Sequence, residues 1–191
     1  YLSATVFLLT PPFTQLNTPY PATAYLKGFL NTKGIRSFQA DLGIEVTLAL
    51  FSPDGLASLF KAVGDMTPAS ENAQRIYHLR TDYINTIDIA VRFLQGKEPT
   101  VAHQIAKRNF LPEASRFAQL DDLHDIFGSM GIQDKAKHLA TMYLEDLSDF
   151  IVECIDPHFG FSRYAERLGR SANSFDELYE SLQQPLPFID K

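Results

Sequence analysis

Two rhythms of apolar and polar positions run along this chain, and the change between them falls near residue 41. Thr5–Thr10 (TVFLLT) is a short continuous apolar run that stops at Pro11-Pro12. Such a run predicts a central parallel strand covered on both faces rather than an alternating surface strand. The segment 11–21 (PPFTQLNTPYP) carries four prolines in eleven residues. They withhold helix hydrogen bonds and keep the preceding residues extended, so it reads as a loop. Ala22, Tyr25, Leu26, Phe29 and Leu30 then fall on one face of a helix over Ala22–Asn31, with Gly34 at its C-terminal cap. Ile35–Ala40 (IRSFQA) predicts a second strand ending at Asp41. Strand, loop, helix and strand make one βαβ unit with a right-handed crossover.

Beyond Asp41 the period becomes helical. Ile44–Phe51 mixes strand-forming residues with apolar positions at helical spacing and is read as helix. Ser52-Pro53-Asp54-Gly55 reads as a turn before the apolar face of Leu56, Leu59, Phe60 and Val63. Thr67-Pro68 reads as an N-cap followed by the first helical position. Ile76, Leu79, Tyr83, Ile87, Ala90 and Leu94 then hold the helical period for about five turns. Shorter helices are expected over Thr100–Phe110 and around Leu123–Met130, and a long one along the stripe Ile132, Ala136, Leu139, Tyr143, Leu147, Phe150 and Cys154. Ser174-Phe175-Asp176-Glu177 is a capping box for a last helix. The expected fold is therefore α/β: a Rossmann-like βαβ unit with an incomplete parallel sheet in residues 1–65, and a large, mostly helical region in residues 66–191 packing on it. Two parallel strands alone are not a stable sheet, so either the helices cover a minimal sheet or, the preferred reading, the remaining strands lie beyond Lys191.

Composition narrows the function classes. Seventeen Lys and Arg against 23 Asp and Glu give a net charge of −6, against the basic footprint of a nucleic-acid binder. One cysteine, Cys154, excludes an internal disulfide, a cysteine-rich zinc site and a four-cysteine iron–sulfur site. No apolar run reaches the ~18 residues that suggest a membrane span, and the first residues do not form a signal peptide. The expectation is a cytoplasmic protein without nucleic-acid or membrane partners.

The chemistry-bearing residues form no catalytic or metal constellation. The five histidines (His78, His103, His124, His138, His158) show no zinc spacing. Cys154 sits in an apolar stripe and reads as a small buried side chain. Asp121-Asp122 and Glu145-Asp146 read as solvated helix faces. The unusual feature is the proline-rich loop. In a doubly wound sheet, ligands bind beyond the carboxyl ends of the strands, where Thr14, Gln15, Asn17, Thr18 and Tyr20 meet the end of the second strand at Asp41. Neither GxGxxG nor GxxxxGK[ST] is present, so the loop is not a phosphate cradle.

The stretch Val6–Glu45, VFLLTPPFTQLNTPYPATAYLKGFLNTKGIRSFQADLGIE, resembles the start of the cobalamin-binding domain of radical S-adenosylmethionine proteins. That family opens with a strand ending in PP, a loop with further prolines, a helix, and a second strand ending in Asp. The resemblance implies an N-terminal, cofactor-binding portion that is not catalytic by itself. Cobalamin would lie against Pro12, Phe13, Thr14, Asn17, Thr18, Pro19, Tyr20 and Asp41. It also implies a catalytic barrel downstream in the same polypeptide, holding a [4Fe–4S] cluster and S-adenosylmethionine. The barrel's CxxxCxxC is absent from this chain. So is the DxHxxG whose histidine ligates cobalt in a related branch. Apart from the resemblance, the residues leave open a helical interaction or regulatory module with a degenerate βαβ unit and no cofactor. A flavodoxin-like nucleotide binder also stays open.

Overall fold

The computed structural model describes residues 5–11, 21–64, 66–118, 120, 131–157, 159–161, 174–185 and 189. It is mostly helical, with one two-stranded parallel sheet. The chain forms two compact units, Tyr1–Leu48 with Gly160–Leu186 and Ala49–Phe159 with Pro187–Lys191.

In the first unit, β1 (Val6–Thr10) pairs in parallel with β2 (Ser37–Asp41), in a register that sets Phe7 against Phe38 and Thr10 against Asp41. Helix α1 (Pro21–Thr32) joins them and packs on both strands. Gly34 closes α1 with φ 68°, a conformation that favours a residue without Cβ. The expected βαβ order is present, but its apolar surface is not enclosed. Phe7, Leu9 and Phe38 share one sheet face and remain 59, 46 and 45 % exposed. On α1 no residue is buried, and Tyr25, Leu26 and Phe29 face solvent. The α1 stripe read from the sequence is thus present as a pattern, with Tyr25, Leu26 and Phe29 on it exposed. Helix α2 (Leu42–Leu50) follows β2 directly, as the helical reading of 44–51 requires.

Among the described residues, the buried apolar side chains all come from Leu50 to Phe159, in the second unit. Helix α3 (Pro53–Val63) begins where the sequence suggested a turn. Ser52 is its N-cap, its hydroxyl accepting the Gly55 N–H at 3.0 Å, and Pro53 is its first residue. A Ser-Pro-x-Gly string satisfies turn and helix start equally, and the buried Leu56, Leu59, Phe60 and Val63 select the helix. The next helix does not start at Thr67-Pro68 but at α4 (Glu71–His78), with Ser70 as N-cap. Its stripe does not run unbroken either. Leu79, with φ −86° and ψ 12°, separates α4 from α5 (Arg80–Leu94), while Ile76, Tyr83, Ile87 and Ala90 all stay buried.

Where one helix was expected over 100–110, a 3-10 turn (Pro99–Val101) leads into the short α6 (Ala102–Ala106). The chain is then turned at Arg108, whose φ is 59° and whose guanidinium grips Glu113 through two hydrogen bonds of 2.8 and 2.7 Å. Helix α7 (Ser115–Ala118) and the long α8 (Ile132–Cys154) follow. As the stripe predicts, α8 buries Ala136, Leu139, Tyr143, Leu147 and Phe150, packing against α4, α5, α6 and α7. In the first unit, α9 (Phe175–Gln183) starts at the expected box, with the Ser174 hydroxyl accepting the Glu177 N–H at 3.2 Å. The helix expected at 123–130 lies outside the described residues.

Candidate functional site

Parallel pairing brings the carboxyl ends of both strands to one edge of the sheet, with Thr10 and Asp41 as register partners there. Thr10 is buried. Asp41 Oδ1 accepts the Ile44 N–H at 3.1 Å, so this carboxylate starts α2 as well as ending β2. Of the residues assigned to a cofactor, Asp41 is the one the structure places. Pro12, Phe13, Thr14, Asn17, Thr18, Pro19 and Tyr20 lie outside the described residues.

The open sheet face beside this edge carries Phe7, Leu9 and Phe38, with the Arg36 guanidinium 5.1 Å from the Phe38 ring centre. On α1, Lys33 Nζ lies 5.5 Å from the Phe29 ring. Basic groups over exposed aromatic rings shield some apolar area from water while leaving it available for contact.

The helical unit departs from its sequence reading at Asp146. The pair Glu145-Asp146 is not a solvated face: Asp146 is fully buried, and only Glu145 reaches the surface. Arg116 gathers this region, pairing with Glu145 at 3.2 Å and Asp149 at 2.7 Å, while its N–H donates to Asp146 Oδ1 at 3.4 Å. Burial pushes the Asp146 carboxyl up to about 6 against the opposing pull of Arg116. Helical spacing carried this information, since Asp146 stands three residues after Tyr143 and four before Phe150, inside the apolar stripe.

Cys154 is half-buried rather than enclosed, and desolvation together with Glu153 pushes its thiol up to about 11. At neutral pH it is a thiol, not an activated thiolate. Among the described residues, no three His, Cys, Asp or Glu side chains are grouped to hold a metal ion, and no single helix is long and apolar enough to cross a membrane. A cleft of about 420 Å³ opens between Gly64, Met66, Thr67 and Pro68 on one side and Tyr77, His78 and Arg80 on the other. Another of about 370 Å³ opens between α4 and the 113–118 segment.

Compared with family models, curated proteins and solved structures, the chain has no match.

Proposed function

We propose that the chain is the N-terminal, cobalamin-binding-type portion of a radical S-adenosylmethionine enzyme, and that Val6–Asp41 is the first βαβ repeat of a Rossmann-like sheet. The observation that carries this reading is a parallel βαβ unit whose strand ends meet at Thr10 and Asp41 while Phe7, Leu9 and Phe38 stay uncovered beside them. Parallel sheets are covered on both faces in stable folds, so the exposed face supports completion by further strands and helices of the same polypeptide. A crevice for a planar, largely apolar cofactor then lies beyond the carboxyl edge.

The chain's own residues bind and orient; they carry out no chemical step. The segment 11–21 follows β1 in the sequence and carries four prolines, whose fixed φ lowers the entropy cost of ordering it against a ligand. Thr14, Asn17, Thr18 and Tyr20 supply hydrogen-bonding groups in that loop. Asp41 fixes the entry of α2 through Ile44 and keeps the opposite side of the edge in place. Bound cobalamin would supply methyl-transfer or rearrangement chemistry to a downstream barrel. The loop contains no histidine, so it offers the cobalt no imidazole ligand.

The test is cobalamin retention by the polypeptide its gene encodes. Asn17→Trp and Thr18→Trp should lower bound cobalt without changing the helical circular dichroism. Unchanged cobalt in folded variants would count against the loop as a wall of the site. A second reading has its own observation: among the described residues, the buried core lies in the helical unit. In that reading the helices form an interaction module and the βαβ unit binds no cofactor, so neither the parent protein nor the variants would hold cobalt.

A further inference from the structure

Tyr83 on α5 and Tyr143 on α8 are fully buried and stack with ring centres 5.0 Å apart and planes 18° from parallel. Tyr143 Oη donates to the backbone carbonyl of Tyr83 at 3.1 Å and lies 3.1 Å from Thr86 Oγ1. The Asp146 charge acts on the Tyr83 hydroxyl, so the two groups lie within electrostatic reach of each other. Asp146 projects one turn beyond Tyr143 on α8, at the spacing of neighbouring side chains, ~5–6 Å. Among the described residues, Tyr83 Oη and Asp146 Oδ2 are both buried and both lack a hydrogen-bond partner. One is a donor and the other an acceptor. Each buried group left unpaired carries a desolvation cost that pairing the two with each other would remove.

We infer that Tyr83 and Asp146 work as one buried phenol–carboxylate pair, with the Tyr83 hydroxyl directed at Asp146 Oδ2, and that ionisation of Asp146 sets how tightly the 113–118 segment is held on α8. The transmission is through the backbone. Asp146 Oδ1 accepts the Arg116 N–H, and the backbone at Ala114 also favours its charged form. An ionised carboxylate accepts such bonds more strongly than a neutral one, so acidification weakens this tether. The segment's other ties run to α4, through Ser115 N–H to Asn72 Oδ1 at 2.9 Å and Arg75 Nε to the Glu113 carbonyl at 2.7 Å, to Arg108 through Glu113, and to Glu145 and Asp149 of α8 through the Arg116 guanidinium. The segment is also one wall of the cleft of about 370 Å³, with Glu71, Asn72 and Arg75 opposite, so its tether bears on the cleft's width.

The charged and titratable groups facing the pair come from each packed element. They are Arg75 on α4, Glu113 before α7, Arg116 on α7, and Tyr143 and Asp149 on α8. Helix α6 buries Ala102 and Ile105, and its His103 is exposed. Burial, then the Asp146 charge, push the Tyr83 phenol far above its ordinary range, so it stays a donor at every physiological pH.

The experiment is an NMR titration of the whole chain that follows the Asp146 carboxyl carbon and the Arg116 amide. Both should share one midpoint. Tyr83→Phe keeps the ring stack, removes the donor to the ionised form, and should move both midpoints upward by about half a pH unit or more. Asp146→Asn should abolish that midpoint at Arg116. A midpoint unmoved by Tyr83→Phe, or an Arg116 amide that does not follow Asp146, overturns the inference. If Tyr83→Phe does not fold, the Tyr83 ζ-carbon of the unsubstituted chain decides: it tracks the Asp146 midpoint if the pair exists and ignores it otherwise.

Discussion

Glu153, near the end of α8, caps α4 through Ser70. Its Oε1 accepts the Ala69 and Ser70 N–H groups at 2.9 Å each, and its Oε2 accepts the Ser70 hydroxyl at 2.5 Å. That hydroxyl in turn accepts the Ala73 N–H at 3.0 Å, so one serine satisfies the start of α4 and ties it to the end of the longest helix. Nothing in the spacing of the sequence connects positions 70 and 153.

Glu153→Ala should lower the unfolding free energy by about 1 kcal/mol, the usual worth of a helix cap. These hydrogen bonds hold the Glu153 carboxyl below its ordinary value. Its contribution is therefore complete above the ordinary glutamate range and is lost as the pH falls through the depressed value. Denaturant unfolding at pH 7 and pH 3 checks this: the difference between parent and variant should shrink at the lower pH.

Asp146 runs the other way. Its carboxyl is raised to about 6 from 3.8, so its stabilising state is the neutral one, complete below the unfolded value and lost as the pH rises through about 6. Local bonds from Arg116 favour the ionised form, and burial outweighs them. Between pH 5 and pH 8, Asp146→Asn should gain about 1–3 kcal/mol relative to the parent chain, read from paired urea curves. A constant offset between the two chains across that range would contradict the burial argument.

Gly55 sits in the first turn of α3, where an added Cβ would run into the backbone carbonyls of Ala49 and Leu50. Backbone cannot step aside as a side chain can. Gly55→Ala should cost at least about 2 kcal/mol and lower the melting temperature by several degrees.

The open face of the βαβ unit predicts an asymmetry. Phe7→Ser and Phe38→Ser remove exposed rings and should change stability by no more than about 0.5 kcal/mol while reducing binding of an apolar dye. Phe150→Ala, in the fully buried core, should cost about 3–5 kcal/mol.

The strands, the βαβ order and the α8 stripe were legible because each rests on local period and punctuation: TVFLLT before a double proline, Gly34 after α1, Ala136 to Phe150 at helical spacing. The start of α4 was not, because Thr67-Pro68 and Ser70-Glu71 both resemble helix starts, and the choice is made by Glu153 across the fold. The buried state of Asp146 was readable from its place in the stripe but was overridden by its charged neighbour Glu145. For the candidate site, the sequence supplied the loop residues and the structure supplied the edge, through the pairing of Thr10 with Asp41.

On the reading proposed above, the βαβ unit is one part of a cobalamin site that other strands complete. The direct measurement is a hydroxocobalamin titration of the 191-residue chain beside the polypeptide its gene encodes, followed by absorbance and calorimetry. The whole polypeptide should retain cobalamin stoichiometrically, and the 191-residue chain should bind it far more weakly than a Kd of about 1 µM. Submicromolar binding by the 191-residue chain, or none by the whole polypeptide, would contradict it.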